Sequence, residues 1–191
     1  MNIITTTYNS NFYYVRPDIS LNRDSNDYFC PDDITEITVA PFLYIRMDKA
    51  GKSVQAKFAS RYYSSIGYGL NITAQSLIDE KHPESFLMAN SLDNSTIVSQ
   101  LYATDKVNSA SILQETLKIN GKAAEILYMD RKCAPEKSLS LLEGLFNKKA
   151  EVISRLTSFK TGDYIAVEIA EHTPVKIGDT ITFGELAFQI R

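Results

Sequence analysis

TVAPFLYIRMDKAGK, residues 38–52, has the strand pattern from which the fold class follows. Every second side chain of a β-strand points to the same face, so the alternate positions of this stretch form two sets. The apolar set is Leu43, Ile45 and Met47. The mixed set is Ala40, Phe42, Tyr44 and Arg46. This pattern predicts a strand over Thr38–Met47 with one face on a core and the other facing a pocket, followed by a turn at Gly51.

Further strands are predicted on both sides of this stretch. A short aromatic and β-branched run covers Tyr13–Val15 and stops at Pro17, which lacks the N–H that a ladder needs. The stretch IGYGLNITA follows the central strand along the chain, and two closing strands are predicted over Tyr164–Ile169 and Ile181–Ile190. The dominant local structure is therefore β.

An Asn-Gly pair at Asn120 and Gly121 gives the clearest turn signal. A type I′ turn needs positive φ at both central positions, and Asn-Gly suits it. The flanking segments predict a long antiparallel hairpin from Ile112–Ile119 to Lys122–Met129.

Two helices and one loop complete the predicted elements. Apolar residues at helical spacing predict a short helix over Gln55–Ser64, and Asn147 is a candidate cap for a second helix over Lys148–Phe159. The polar segment Asp79–Ser85 contains a proline and predicts a loop. The chain is expected to be one β-rich α+β domain, residues 1–191, with two or three short helices.

The composition excludes several classes of protein. A net charge of −3 argues against a nucleic-acid partner, because such proteins usually present a basic face. No apolar run approaches the ~20 residues of a membrane span, and the N-terminus lacks the features of a signal peptide. Cys30 and Cys133 do not make a disulfide framework. A cytoplasmic protein with reduced thiols is expected.

Seven segments, in order, resemble small bacterial members of the fumarylacetoacetate hydrolase family. They are FYYVRPDISL, LYIRMDKAGKSV, KFASRYYSSIGYGLNITAQSL, SLDNST, LKINGK, ISRLTSFKTGDYI and PVKIGD. No segment is specific by itself, but the seven occur in the family's order and spacing. Together they cover most of the chain from residue 12 onward. The resemblance implies that the α+β fold is a mixed β-sheet roll, and that this chain is N-terminally shortened, starting just after the family's Asn-Tyr-x-x-His segment.

The resemblance also implies a chemistry that these residues do not support. Enzymes of the family hold Mg²⁺ or Ca²⁺ with a Glu-x-Glu pair and an Asp, and the metal polarises an oxo-acid substrate. The Glu-x-Glu pair corresponds to Ala40 and Phe42, and the Asp to Asn71. The family's lysine corresponds to Asn90, and its Arg-Asp pair begins at Gln75. The resemblance therefore predicts that the Mg²⁺ or Ca²⁺ site is absent and that no cofactor is bound.

Two further positions of the family are affected. Its Thr-Gly-Thr-Pro motif corresponds to Val167–Ala170, where glycine and threonine are gone. Glu36 shares the strand parity of Ala40, but four residues of strand separate them by roughly 13 Å. A metal ligand must come within about 2.5 Å of the ion, so Glu36 is not expected to rescue the site.

The residues at the former site leave alternatives open. Phe42 either fills the space of the vanished metal site or forms the wall of a new apolar pocket. Asn71, Gln75 and Asn90 either form a neutral polar cluster that binds a small molecule or are relics without a role. His82 and His172 are most simply surface residues. No nucleophile signature surrounds a serine or cysteine, Cys133 included.

Two functions remain. The first is a non-catalytic homologue with a structural, regulatory or small-molecule-binding role. The second is an enzyme acting on an acylpyruvate or related oxo-acid by an altered, metal-independent hydrolase or tautomerase mechanism. The family's habit of dimerising implies a homodimer, or a heterodimer with an active paralogue.

Overall fold

The computed structural model describes residues 1–24, 26–104, 115–125 and 135–191. The strands, in chain order, are β1 (Asn2–Thr6), β2 (Tyr13–Pro17), β3 (Leu21–Asn22), β4 (Ile37–Met47), β5 (Tyr63–Thr73), β6 (Thr96–Val98), β7 (Tyr102–Ala103), β8 (Lys118–Ile119), β9 (Lys122–Ala123), β10 (Tyr164–Glu168), β11 (Thr173–Val175), β12 (Thr180–Phe183) and β13 (Leu186–Gln189). The α-helices are α1 (Ala56–Ala59), α2 (Glu84–Ala89) and α3 (Pro135–Leu156). The fold is α+β and β-rich, as the sequence predicts.

A mixed sheet of nine strands organises the molecule. Its order is β2-β1-β10-β4-β5-β6-β3, with β11 also on β4 and β7 also on β5. β1 runs parallel to β10 and β3 parallel to β6, while the other pairs are antiparallel. The sheet curls, so that Arg16 on the edge strand β2 reaches the carbonyl oxygens of Ile72 and Ser95 near its other edge. A second sheet has the order β13-β12-β8-β9.

The two faces of the large sheet differ in composition. Leu43, Ile45 and Met47 lie in the main apolar core, as their parity in the sequence predicts. The opposite face turns into the roll, and it is buried there rather than lining an open pocket as predicted: Phe42 and Tyr44 are at most 1% exposed. This inner face carries the candidate site.

Both predicted helices have different bounds in the structure. α3 begins at Pro135, so Asn147 lies inside the helix instead of capping it, and its side chain accepts a hydrogen bond from the Tyr63 hydroxyl. The apolar stripe that buries Phe146 extends the helix toward the N-terminus. The helix also packs against α1. α1 ends at Ala59, because Tyr63 already pairs with Met47 as the first residue of β5.

The remaining predictions are met in part. The turn at Asn120 and Gly121 has φ of 52° and 77°, as a type I′ turn requires, but the outer parts of that hairpin (112–114 and 126–129) and Cys133 lie outside the described residues. Ile181–Ile190 is a hairpin and not one strand, because Gly184 turns the chain at φ 60°. The predicted loop Asp79–Ser85 runs into α2, which the sequence did not predict.

Candidate functional site

Aromatic side chains fill one half of the inner face. Phe42 and Tyr44 have ring centroids 6.0 Å apart, and Tyr44 lies 4.9 Å from the ring of Tyr164. The Phe42 ring lies directly over Gly69 on β5, where a Cβ atom would overlap the ring. This aromatic half therefore has no space left for a ligand at Phe42.

The other half of the inner face is polar and is centred on Arg16, which is fully buried. One guanidinium nitrogen donates to Asn90 Oδ1 at 2.8 Å. The other donates to the Ile72 carbonyl at 2.8 Å and to Ser95 Oγ at 2.7 Å. Because a buried charge is stable only when hydrogen-bonded, these acceptors hold β2 against β5 and the start of β6.

Asn90, at the end of α2, joins these strands. Its Oδ1 accepts from Arg16 and from Thr73 Oγ1, each at 2.8 Å, and its amide nitrogen donates to the Phe86 carbonyl at 2.8 Å. Tyr14 Oη also lies 3.3 Å from Asn90 Oδ1. An amide oxygen has two lone pairs, which Arg16 and Thr73 already use.

Glu168 is the buried carboxylate of the polar half. Its side chain has no exposed surface, and its register partner on β4 is Phe42. Oε1 accepts from the Asn71 amide at 3.0 Å and lies 3.4 Å from Tyr14 Oη. Asn71 Oδ1, in contrast, is buried with no hydrogen-bond partner among the described residues. Tyr14 and Asn90 thus connect the charges of Arg16 and Glu168 inside the roll.

Tyr14 is the proton donor between these two charges. Burial, and then the negative charge of Glu168, raise the pKa of Tyr14 well above its ordinary value. The hydroxyl therefore stays protonated across the physiological range. Since Asn90 Oδ1 is already occupied twice, the better acceptor for its proton is Glu168.

His172 covers Glu168 on the side of the solvent. Its Nε2 lies 3.2 Å from Glu168 Oε2, and its Nδ1 lies 3.1 Å from Thr38 Oγ1. The sequence-based interpretation of His172 as a surface residue is incomplete. Its ring is 30% exposed, but the pairing of β11 with β4 places it over the site, where both ring nitrogens have partners. His82, in contrast, is exposed and pairs with Glu84.

A cavity of about 450 Å³ opens beside His172. The side chains that line it are Thr7, Tyr8, Thr73, Gln75, Ile78, Phe86, Glu168, Glu171 and His172. A second cavity of about 230 Å³ also touches Thr7 and Glu168, and Lys148 and Lys149 line its far side. The two cavities flank the loop between β1 and β2.

The predicted site residues do not form one neutral cluster. Ala40 and Phe42 are enclosed with no exposed surface, and Phe42 packs among apolar side chains. Asn71 and Asn90 both join the polar half, but its charged members Arg16 and Glu168 mean that it is not neutral. Gln75 lies apart, exposed, on the wall of the larger cavity.

Sequence reasoning missed Arg16, Glu168 and His172. A signal existed for Glu168, since it shares strand parity with Tyr164 and Ala166 in a strand that is buried on both faces. No local signal could have identified His172 or Arg16, because their partners are more than 50 residues away along the chain, apart from the contact of His172 with Glu168. Glu36 is exposed and precedes β4.

The donors at the family's metal positions do not fit a divalent cation. Ala40 and Phe42 offer no ligand atom, and the Asn71 amide offers only one neutral oxygen. Within the described ranges, no group of three or more His, Cys, Asp or Glu side chains is arranged to hold a metal ion.

Solved structures with the same fold come from the fumarylacetoacetate hydrolase family. A protein of that family from Yersinia pestis is 16% identical, with a TM-score of 0.73 over 100% of this chain and 92% of that one. A fumarylpyruvate hydrolase from Pseudomonas aeruginosa, in complex with Mn²⁺ and pyruvate, is 14% identical, with a TM-score of 0.73 over 100% and 89%. A 5-carboxymethyl-2-hydroxymuconate delta-isomerase from Mycobacterium smegmatis is 15% identical, with a TM-score of 0.72 over 99% and 78%.

These likenesses establish the fold that the sequence resemblance implied. No family model matches the sequence, and no curated protein matches it significantly.

Among the described residues, no helix has the length and apolar character needed to cross a membrane.

Proposed function

We propose that this chain is a non-catalytic, metal-free homologue of the fumarylacetoacetate hydrolase-type enzymes, and that it binds a small organic molecule beside His172. The observation that carries the first part is the Phe42 ring, which packs over Gly69 where the family pattern places a metal-binding carboxylate. A metal bound there would need both a carboxylate and space, and this position provides neither.

Binding is supported by the cavity beside His172 and Glu168, where Glu168 accepts a hydrogen bond from Asn71. The cavity joins apolar walls from Ile78 and Phe86 to polar groups from Gln75 and His172, a combination typical of small-molecule sites. Its floor is held by the bonded chain of Thr38, His172 and Glu168, so the pocket is preorganised and a ligand pays little ordering entropy.

Metal content and turnover test this function together. The purified protein, incubated with Mg²⁺, Mn²⁺ or Ca²⁺ and desalted, is expected to retain less than stoichiometric metal by mass spectrometry. It is also expected to leave acylpyruvates and oxaloacetate unchanged above the buffer rate. Stoichiometric metal together with cleavage of an acylpyruvate would contradict the proposal.

A second candidate is metal-independent hydrolysis or tautomerisation of an oxo-acid. The relevant observation is the relay of a hydroxyl, an imidazole and a carboxylate from Thr38 through His172 to Glu168, since a nucleophile needs a base that is oriented by a third group. Both ring nitrogens are bonded within the protein, however, and Thr38 is only 7% exposed. Turnover without metal that is abolished in both Thr38→Val and His172→Gln would favour this candidate over binding alone.

Assembly is a separate part of the proposal. The edge strand β2 presents Val15 to solvent, with Phe12 and Ile19 exposed at its two ends. A second copy, or an active paralogue, would cover this edge. Light scattering at several concentrations, and co-purification from the native source, distinguish a homodimer, a heterodimer and a monomer, and a strict monomer would contradict both forms of assembly.

A further inference from the structure

We infer that the two cavities beside the loop between β1 and β2 form one cleft for a small zwitterion, with an ammonium group at Glu171 and a carboxylate at Lys148 and Lys149. This inference deepens the proposed function and rests on it, because it names the class of the small molecule. The observation behind it is that Thr7 and Glu168 line both cavities.

The basic end of the cleft is formed by α3. Lys148 and Lys149 line the smaller cavity together with polar side chains of the loop, Asn9 and Asn11 among them. Within the described ranges, neither lysine forms an ion pair with a carboxylate. Lys149 is half-buried and donates to the Ser10 carbonyl at 2.7 Å. Burial, and then the neighbouring Lys148, lower the pKa of Lys149, a cost that a bound anion would relieve.

The acidic end of the cleft lies across Thr7. Glu171 is exposed at the larger cavity and has no cationic partner among the described residues. Glu168 lies deeper, because its side chain has no exposed surface, and His172 covers its carboxylate on the side of the larger cavity. Inside the roll, Arg16 offsets the charge of Glu168 through Tyr14 and Asn90. The charges that a ligand meets are therefore those at the mouth, negative on one side and positive on the other.

Charge complementarity selects the ligand. A dianion suits only the lysine end and a dication only the Glu171 end, whereas a zwitterion pairs with both. Tyr8 and Phe86 supply aromatic surface for the carbon chain that joins the two charged groups. An ω-amino acid is the simplest molecule of this kind.

A matched series of probes tests the inference. Glycine, 4-aminobutanoate and 6-aminohexanoate vary the separation of the charges, while succinate and 1,4-diaminobutane carry two like charges on a four-carbon chain. In ligand-observed NMR titrations of the full chain at low salt, at least one amino acid is expected to bind at least threefold more tightly than the diacid and the diamine. Equal binding of all probes, or binding of none, would overturn the inference.

Variants assign the two ends. Glu171→Gln is expected to remove the preference for the amino acid over the diacid. The double variant Lys148→Gln/Lys149→Gln is expected to remove the preference for the amino acid over the diamine. Glu80→Gln and Lys176→Gln, exposed and outside the cleft, are matched controls that should leave both preferences unchanged. An unchanged preference in the cleft variants would overturn the assignment of the ends.

Metal content and acylpyruvate turnover, measured on the same preparation, distinguish a failure of the zwitterion cleft from a failure of the proposed function. A metal-free, inactive protein that ignores the amino acids overturns only the zwitterion cleft. A metal-loaded, active protein that binds them overturns only the proposed function.

Discussion

The aromatic and polar halves of the inner face share one sheet but solve burial differently. In the aromatic half, Phe42 and Tyr44 fill the space over Gly69 and Gly67. In the polar half, Arg16 and Glu168 are buried inside the roll, where Asn90 accepts from Arg16 and Tyr14 lies within hydrogen-bond distance of both Asn90 and Glu168. The first half is held by close packing of rings, whereas the second is held by hydrogen bonds between side chains of distant strands.

The comparison shows two ways in which one face of a curled sheet is held together. In the polar half, a guanidinium joins β2 to β5 and to the start of β6 by hydrogen bonds. In the aromatic half, a ring packs directly on the backbone of the neighbouring strand at Gly69. Breaking each half separately shows which of the two contributes more to stability.

Arg16→Met is expected to have the largest effect. The methionine leaves Asn90 Oδ1 with Thr73 as its remaining close donor and removes the donor of the Ser95 side chain and the Ile72 carbonyl. Each buried hydrogen bond to a charged group contributes about 1.5–3 kcal/mol, so the loss of several is expected to cost more than about 3 kcal/mol. Urea unfolding followed by circular dichroism measures it.

Arg23→Met, at an exposed position, is the control for Arg16→Met and should change the free energy of unfolding by less than about 0.5 kcal/mol. Arg16→Lys should recover only a part of the loss, because an ammonium cannot reproduce the forked geometry of the guanidinium. A fully stable Arg16→Met protein would show that the polar half contributes little.

Phe42→Ala tests the aromatic half. Removing a fully buried ring leaves a cavity beside Gly69, and such changes cost about 3 kcal/mol or more. Phe42→Leu should cost less, because it retains most of the volume. The same unfolding experiment measures both, and a neutral Phe42→Ala would mean that the ring lines an accessible pocket instead of packing.

Tyr14 makes the free energy of unfolding depend on pH in the alkaline range. Its pKa is raised in the folded state by burial and by Glu168, while in the unfolded chain a tyrosine ionises near pH ~10. The stabilisation that protonated Tyr14 contributes is therefore complete below pH ~10 and is lost as the pH rises above that value. The loss is about 1 kcal/mol at pH ~11.

Tyr14→Phe should flatten this decline, as measured by the free energy of unfolding between pH 8 and pH 11. Tyr44→Phe is the matched variant in the aromatic half, where burial also raises the pKa of the tyrosine. An unaltered slope in Tyr14→Phe would contradict a buried, protonated Tyr14.

Gln75→Ala is expected to have the smallest effect. Gln75 is exposed on the wall of the larger cavity, so its loss should change the free energy of unfolding by less than about 0.5 kcal/mol.

Asn90→Ala, which removes a buried acceptor of two hydrogen bonds, should cost about 2 kcal/mol in the same experiment. Equal losses would place Gln75 in the polar half after all.

Sequence reasoning identified the strand of Leu43, Ile45 and Met47 and its core face because strand parity is local. It also placed Asn71 and Asn90 at a shared site, by family resemblance. It did not find that Gln75 lies outside the network, since both Asn71 and Gln75 belong to one segment and only the end of β5 at Thr73 separates them.

Residue identity and short-range periodicity were enough to predict the β-rich fold and the turn at Asn120, and to show that Ala40 and Phe42 offer no carboxylate. The burial of Arg16 and Glu168 in one network, and the place of His172 over Glu168, emerged only from the tertiary structure. The curl of the sheet brings Arg16 on β2 to Ile72 on β5, and the pairing of β11 with β4 sets His172, just before β11, beside Thr38. The contacts of Arg16 and the contact of His172 with Thr38 join residues far apart along the chain, so no pattern within one segment encodes them.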